Sequence, residues 1–127
     1  MKKLLLATGN EDKINEMAAL LFGLPIDLKT LRDYPDMPKV EETGITLKEN
    51  AFLKARTCFL ATGLPSLADD TGLEIDTLGG QPGVVSSRFA GLEATYAENV
   101  GKVLGLLQGI RAKERKARFR CVIAMVF

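Results

Sequence analysis

The sequence predicts an α/β fold, and three observations carry the prediction. A short apolar run at residues 3–7 leads directly into a segment of helical periodicity. Two Thr-x-x-Glu signatures, Thr46-Leu47-Lys48-Glu49 and Thr95-Tyr96-Ala97-Glu98, each open a further helical pattern. Apolar runs of strand length fall between and after these helices, the last at 119–127. Strands and helices in alternation make an α/β domain, and 127 residues suffice for one domain with one core.

The run 3–7 reads as a buried strand. Its apolar core is only four residues, and Asn10, Glu11 and Asp12 follow, so it is too short for a secretory leader. Ile14, Met17, Ala18 and Leu21 recur at i, i+3, i+4 and i+7 and predict a helix over about 11–22. Asn10 is its N-cap, and Gly23 and Pro25 end it. Residues 26–30 allow a second strand; the polar stretch 32–44, with Pro35, Pro38 and Gly44, is a loop. The next helix covers about 47–61, with Leu47, Ala51, Ala55, Cys58 and Phe59 inward. Residues 66–68 and 73–76 read as two short strands meeting at a polar turn, Asp69-Asp70-Thr71-Gly72. Gly79-Gly80-Gln81-Pro82-Gly83 is a loop, and the helix after Thr95 presents Tyr96, Val100, Val103, Leu104 and Leu107. Phe119 to Phe127 become continuously apolar, as expected of a central strand covered on both faces. Ending a chain on such a strand leaves an edge open, which predicts a truncated, C-terminally incomplete domain.

Composition excludes several functions. Seventeen Lys and Arg against sixteen Asp and Glu leave a net charge of +1, with no field to draw nucleic acid or a membrane. The basic run from Arg111 to Arg120 is broken by Glu114 and reads as a solvated connector. No stretch is long enough to span a bilayer. Cys58 and Cys121 read as buried, reduced thiols of a cytoplasmic protein. Histidine is absent, which rules out Ser-His-Asp and Cys-His catalysis within this chain. Any metal must then be held by oxygen ligands, which favours Mg2+ or Mn2+.

Four groups of residues have chemical potential. Thr8-Gly9-Asn10 sits where a strand becomes a helix, with Lys13 one turn on. Unpaired N–H groups at such a terminus bind phosphate, although a capped helix with a surface lysine has the same sequence. Asp69-Asp70 places like charges side by side, a cost that a cation or a simple turn would relieve. Glu41-Glu42 is a second acidic pair, and Asn50 and Lys54 share one helix face at i, i+4. Arg88, after the Pro82-Gly83 loop, is able to clamp a phosphate or to sit on the surface.

Taken together and in order, these motifs resemble one family. They are Thr8-Gly9-Asn10 with Lys13; Glu42-Thr43-Gly44 with Glu49-Asn50-Ala51 and Lys54-Ala55; Ala68-Asp69-Asp70-Thr71-Gly72-Leu73; Leu78-Gly79-Gly80 with Pro82-Gly83, Ser86 and Arg88; and Ala117-Arg118-Phe119 with Cys121. The chain is similar throughout to the inosine triphosphate pyrophosphatases. The resemblance implies a mixed sheet flanked by helices in two lobes, a cytoplasmic homodimer, and Mg2+ dependence. It implies hydrolysis of purine nucleoside triphosphates (ITP, dITP, XTP) to the monophosphate and pyrophosphate. Thr8, Gly9, Asn10 and Lys13 would hold the triphosphate, with Asn50, Lys54, Thr71 and Arg88 also at the substrate. Glu42 and Asp70 would hold the metal, Glu41 being the alternative to Glu42, and Asp70 would be the proton acceptor that activates water.

The chain departs from the family in two ways. Val85 stands where members usually carry a tyrosine, and members continue past Phe127 with segments that read the purine base. A nucleotide-binding, dimerising remnant without turnover is therefore the second expectation. A hydrolase of modified pyrimidine triphosphates is the third, disfavoured because Thr8-Gly9-Asn10 replaces the Ser-Pro-Arg type signature of those proteins.

Overall fold

The computed structural model describes all residues, 1–127, and its contacts divide them into two compact units. One unit is Met1–Asp70 with Val122–Phe127; the other is Thr71–Cys121. Five strands form a mixed sheet in the order β2-β1-β3-β4, with β5 also paired to β3. Here β1 is Lys2–Leu6, β2 Ile26–Lys29, β3 Ser66–Ile75, β4 Pro82–Gly83 and β5 Ala117–Val126. The helices are α1 (Glu11–Leu20), α2 (Leu47–Thr62) and α3 (Tyr96–Leu106).

In the first unit, β1 and β2 pair in parallel with Lys2 opposite Ile26 and Leu5 opposite Lys29, joined by α1. A parallel pair needs such a crossover. Helix α1 starts where expected, because Asn10 Oδ1 accepts from the backbone N–H groups of Asp12 and Lys13 at 3.0 and 3.3 Å. Strand β3 joins the other side of β1, also parallel, with Leu5 opposite Ser66. The core is Leu5, Ala7, Ala55, Cys58 and Ala68, with Leu31, Tyr34, Met37, Leu64, Ala124 and Val126 packed on it. Small side chains at Ala51 and Ala55 let the backbone of α2 lie close to the sheet. Burial pushes the Cys58 thiol pKa up, as befits an unreactive core cysteine.

In the second unit, β4 runs antiparallel to β3, with Leu73 opposite Gly83 and Glu74 opposite Pro82. The chain reaches β4 through Gly79 and Gly80 at φ +65° and +88°, the left-handed backbone that glycine adopts without a Cβ penalty. Ser86 Oγ then accepts from Leu73 N at 2.9 Å and donates to the Gly83 carbonyl at 2.6 Å. The Thr95–Glu98 capping box opens α3. Asn99 on α3 holds the preceding loop, accepting from Ala90 N and donating to the Ser87 carbonyl at 2.9 and 3.1 Å.

The structure corrects five expectations from the sequence. Residues 66–75 are one ten-residue strand, not two strands and a turn. The backbone ladder continues through Asp69 and Asp70, whose charges are met by side chains from other elements. Phe59 is only half-buried, while Asn50 is fully buried on α2. On α3, Tyr96, Val100 and Leu104 are exposed, and only Leu107, just past the helix, is buried. On β5, Val122, Ala124 and Val126 alternate inward, but Phe119, Ile123, Met125 and Phe127 are exposed, Ile123 by 57%. The strand is thus covered on one face and not on both. Cys121 lies on that outward face and is exposed rather than buried.

Candidate active site

The site grows from the end of β1. Three apolar residues, Leu4, Leu5 and Leu6, bury the strand and deliver Ala7 and Thr8 to its C-terminal end, still buried. The Asn10 N–H donates to Thr8 Oγ1 at 3.2 Å, closing a turn over the exposed Gly9. A Cβ at Gly9 would meet nothing within 4 Å, so this turn opens on free space. Beyond it the α1 N-terminus carries a partial positive charge, with the Asp12 and Lys13 N–H groups capped by Asn10.

Lys13, in the first turn of α1, places Nζ 3.0 Å from Asp69 Oδ2 on β3. The parallel β1–β3 pairing brings these elements side by side, so the contact is a product of topology. Lys54, from the second turn of α2, places Nζ 2.9 Å from Glu42 Oε1 in the loop before that helix. Glu42 turns toward this cluster, whereas Glu41 is exposed. Of the acidic pair, Glu42 is the one that contacts Lys54 and acts on Asp70.

Asp70 lies among these groups, 7% exposed. Burial raises its pKa above the ordinary carboxylate value, Lys54 lowers it, Glu42 raises it, and a hydrogen bond from Asn50 and the charge of Lys13 lower it. Burial prevails, and Lys54, Glu42, Asn50 and Lys13 all act on this one carboxylate. Oδ2 of Asp70 is buried with no hydrogen-bond partner. Because alternate residues of a strand face opposite sides, Asp69 and Asp70 do not share a direction. The like-charge cost expected of the adjacent pair is relieved by the pleat, and the carboxylate close to Asp70 is Glu42.

One assignment changes character. Asn50, implied as a substrate residue, is 0% exposed and hydrogen-bonds Gly44 through both ends of its amide, so it offers substrate no surface. Glu49 follows its expected capping role with a shift: Thr46 Oγ1 accepts from Glu49 N at 3.1 Å, while Glu49 Oε2 accepts from Ile45 N instead of Thr46 N. Thr71 and Arg88 belong to the second unit, both half-buried, Arg88 at the end of a 3-10 turn over Ser86–Arg88. Sequence reading passed over Asp69 as a partner of Lys13, since 56 positions separate them and only the sheet order brings them together.

No group of three or more His, Cys, Asp or Glu side chains gathers as a metal cage. The donor set is instead a buried carboxylate oxygen without a partner and a second carboxylate close enough to disturb it. That set fits Mg2+, which takes one or two carboxylates and completes its shell with water and phosphate.

A Ham1 family profile matches residues 4–127. The dITP/XTP pyrophosphatase of Geobacter sulfurreducens is 49% identical over 125 residues, 98% of this chain and 63% of that protein. The dITP/XTP pyrophosphatase of Photobacterium profundum is 48% identical over 126 residues, 99% of this chain and 64% of that protein. Among solved structures, a HAM1 protein from Coxiella burnetii superposes with a TM-score of 0.87 at 46% identity, covering 98% of this chain and 63% of that one. The Ham1 protein of Staphylococcus aureus superposes with a TM-score of 0.84 at 35% identity, with the same coverage. The chain thus spans somewhat under two thirds of the length of the relatives it matches. By sequence and by fold, this chain belongs to the Ham1 family.

Proposed function

We propose that the protein hydrolyses purine nucleoside triphosphates of the ITP, dITP and XTP type to the monophosphate and pyrophosphate, clearing them from the nucleotide pool. The observation that carries this reading is Asp70, a buried carboxylate with an unpartnered oxygen, ringed by Glu42, Lys54 and Lys13. The names of the relatives supply the substrate class. Mg2+, a cytoplasmic location and a homodimer belong to the same reading.

Each residue then has a task. Thr8, Gly9 and Asn10 receive phosphate oxygens at the α1 N-terminus, where backbone donors and helix dipole favour an anion. Lys13 and Lys54 neutralise the triphosphate, exchanging carboxylate partners for phosphate oxygens. Asp70 orients a water and accepts its proton as the water oxygen forms a bond to the α-phosphorus. The bond from that phosphorus to the bridging oxygen breaks, and pyrophosphate leaves with the electron pair. Glu42 and Asp70 would hold Mg2+, which when bound withdraws charge from the phosphates. Thr71 and Arg88 are proposed as substrate residues by the resemblance alone.

Phosphorus NMR of ITP incubated with the protein and Mg2+ tests the reading. IMP with pyrophosphate is the expected product pair. IDP with orthophosphate, or no turnover by folded protein, would overturn it. Bound but intact ITP would instead establish the nucleotide-binding remnant.

A further inference from the structure

The amide of Asn50 is closed off from solvent, at 0% exposure, and fully engaged. Oδ1 accepts from Gly44 N at 2.7 Å, and Nδ2 donates to the Gly44 carbonyl at 3.3 Å. The same side chain lies close enough to the Asp70 carboxylate to lower its pKa against the effect of burial. A buried amide is tolerable only when its donors and acceptors are matched, and here most of the match goes to one glycine. Glycine is required at that position: a Cβ on residue 44 would stand 2.6 Å from Asn50 Oδ1 and 2.7 Å from Glu49 Cβ. Gly44 follows Glu42 by two residues, and Asn50 precedes Lys54 by one helical turn. The loop that carries Glu42 and the helix that carries Lys54 therefore meet at one side chain, which also acts on Asp70.

We propose that Asn50 is a positioning residue: it latches the Glu42–Gly44 segment to α2, so that Glu42 and Lys54 hold one geometry beside Asp70. This rests on the function proposed above, which gives that geometry its purpose. Partners that orient catalytic or metal-binding groups in this way commonly matter by about tenfold to a hundredfold.

The test breaks the latch from each side, with Asn50→Ala and Gly44→Ala, each confirmed folded by circular dichroism. Asn50→Asp serves if Asn50→Ala does not fold, since it keeps the acceptor for Gly44 N–H and loses both donors. Three readouts are taken: hydrogen exchange over residues 42–46, Mn2+ affinity from the electron paramagnetic resonance of the free ion, and kcat and KM for ITP. Faster exchange in both variants, Mn2+ affinity down about tenfold, and kcat down about tenfold with KM changed by less than about threefold are expected. Unchanged exchange in folded variants overturns the latch, and so does a loosened segment with undiminished Mn2+ affinity and kcat. If the parent protein does not hydrolyse ITP, the functional reading fails by itself, and exchange with Mn2+ affinity still decides the role of Asn50.

Discussion

Lys54 Nζ lies 2.9 Å from Glu42 Oε1, joining the second turn of α2 to the loop before it, and both groups act on Asp70 with opposite sign. In the proposed function a phosphate oxygen arriving at Lys54 takes the place of the carboxylate and releases Glu42. Replacing Lys54 with Met removes the larger of the two cationic influences that offset Glu42 at Asp70. We expect kcat/KM for ITP to fall about a hundredfold with the helical content unchanged. Steady-state kinetics on the folded variant that show a loss smaller than about threefold would rule out a phosphate role for Lys54.

Asp70 links stability and activity in opposite directions. Asp70→Asn removes the proton acceptor, and hydrolysis should fall by about a thousandfold. The same change removes a buried charge whose Oδ2 has no hydrogen-bond partner, so the thermal midpoint at pH 7 should rise. Residual hydrolysis at the parent rate would show that another group takes the proton.

The pH dependence of that stability gain has a definite sign. Asp70 in the folded chain has a pKa raised above the ordinary 3.8. Between the unfolded and folded pKa values the native state binds more protons, so stability falls as pH rises through that window. The gain from Asp70→Asn should be full above the folded pKa, shrink as pH falls, and vanish below 3.8. Thermal melts of both proteins across that range give the curve, and a gain that grows toward acid would contradict it.

Thr46 starts the helix on which Asn50 and Lys54 ride, its Oγ1 accepting from Glu49 N at 3.1 Å. Thr46→Ala should cost about 1 kcal/mol of stability, read from urea unfolding. A change below about 0.3 kcal/mol would mean that the Glu49 contact to Ile45 N caps the helix without help.

Ile123 and Met125 on β5, with Phe127 just past it, form an exposed apolar row. Such a row should bind 8-anilinonaphthalene-1-sulfonate at neutral pH, and Ile123→Lys should reduce the fluorescence. Stability should change by no more than about 0.5 kcal/mol, since Ile123 is mostly exposed. Undiminished dye binding would place the apolar surface elsewhere.

Much of the architecture was legible in local pattern. The β1–α1 junction, the Asn10 cap, the starts of both Thr-initiated helices and the inner alanines of α2 follow from periodicity and capping, which act over a few residues. The motifs with chemical potential were legible too, because Gly9, the acidic pairs and the helix lysines stand out against their neighbours. Three things were not legible. Asp69-Asp70-Thr71-Gly72 has the composition of a turn, yet it is mid-strand because β1 and β4 pair on either part of β3. The partners of Lys13 and Asp70 come from elements far apart in sequence. Asn50 was legible only by its helical spacing to Lys54 and, by resemblance, as a substrate residue; only burial against Gly44 gives it its place.

The sequence by itself determined where the helices begin, which strands are apolar, and which oxygen and nitrogen groups are available, because those depend on neighbours within one or two turns. Tertiary structure alone decided which carboxylate faces which lysine, that Asp70 is buried and Asn50 enclosed, and that β5 is covered on one face. Those outcomes depend on strand order and on solvent exclusion, which arise only when distant segments pack together.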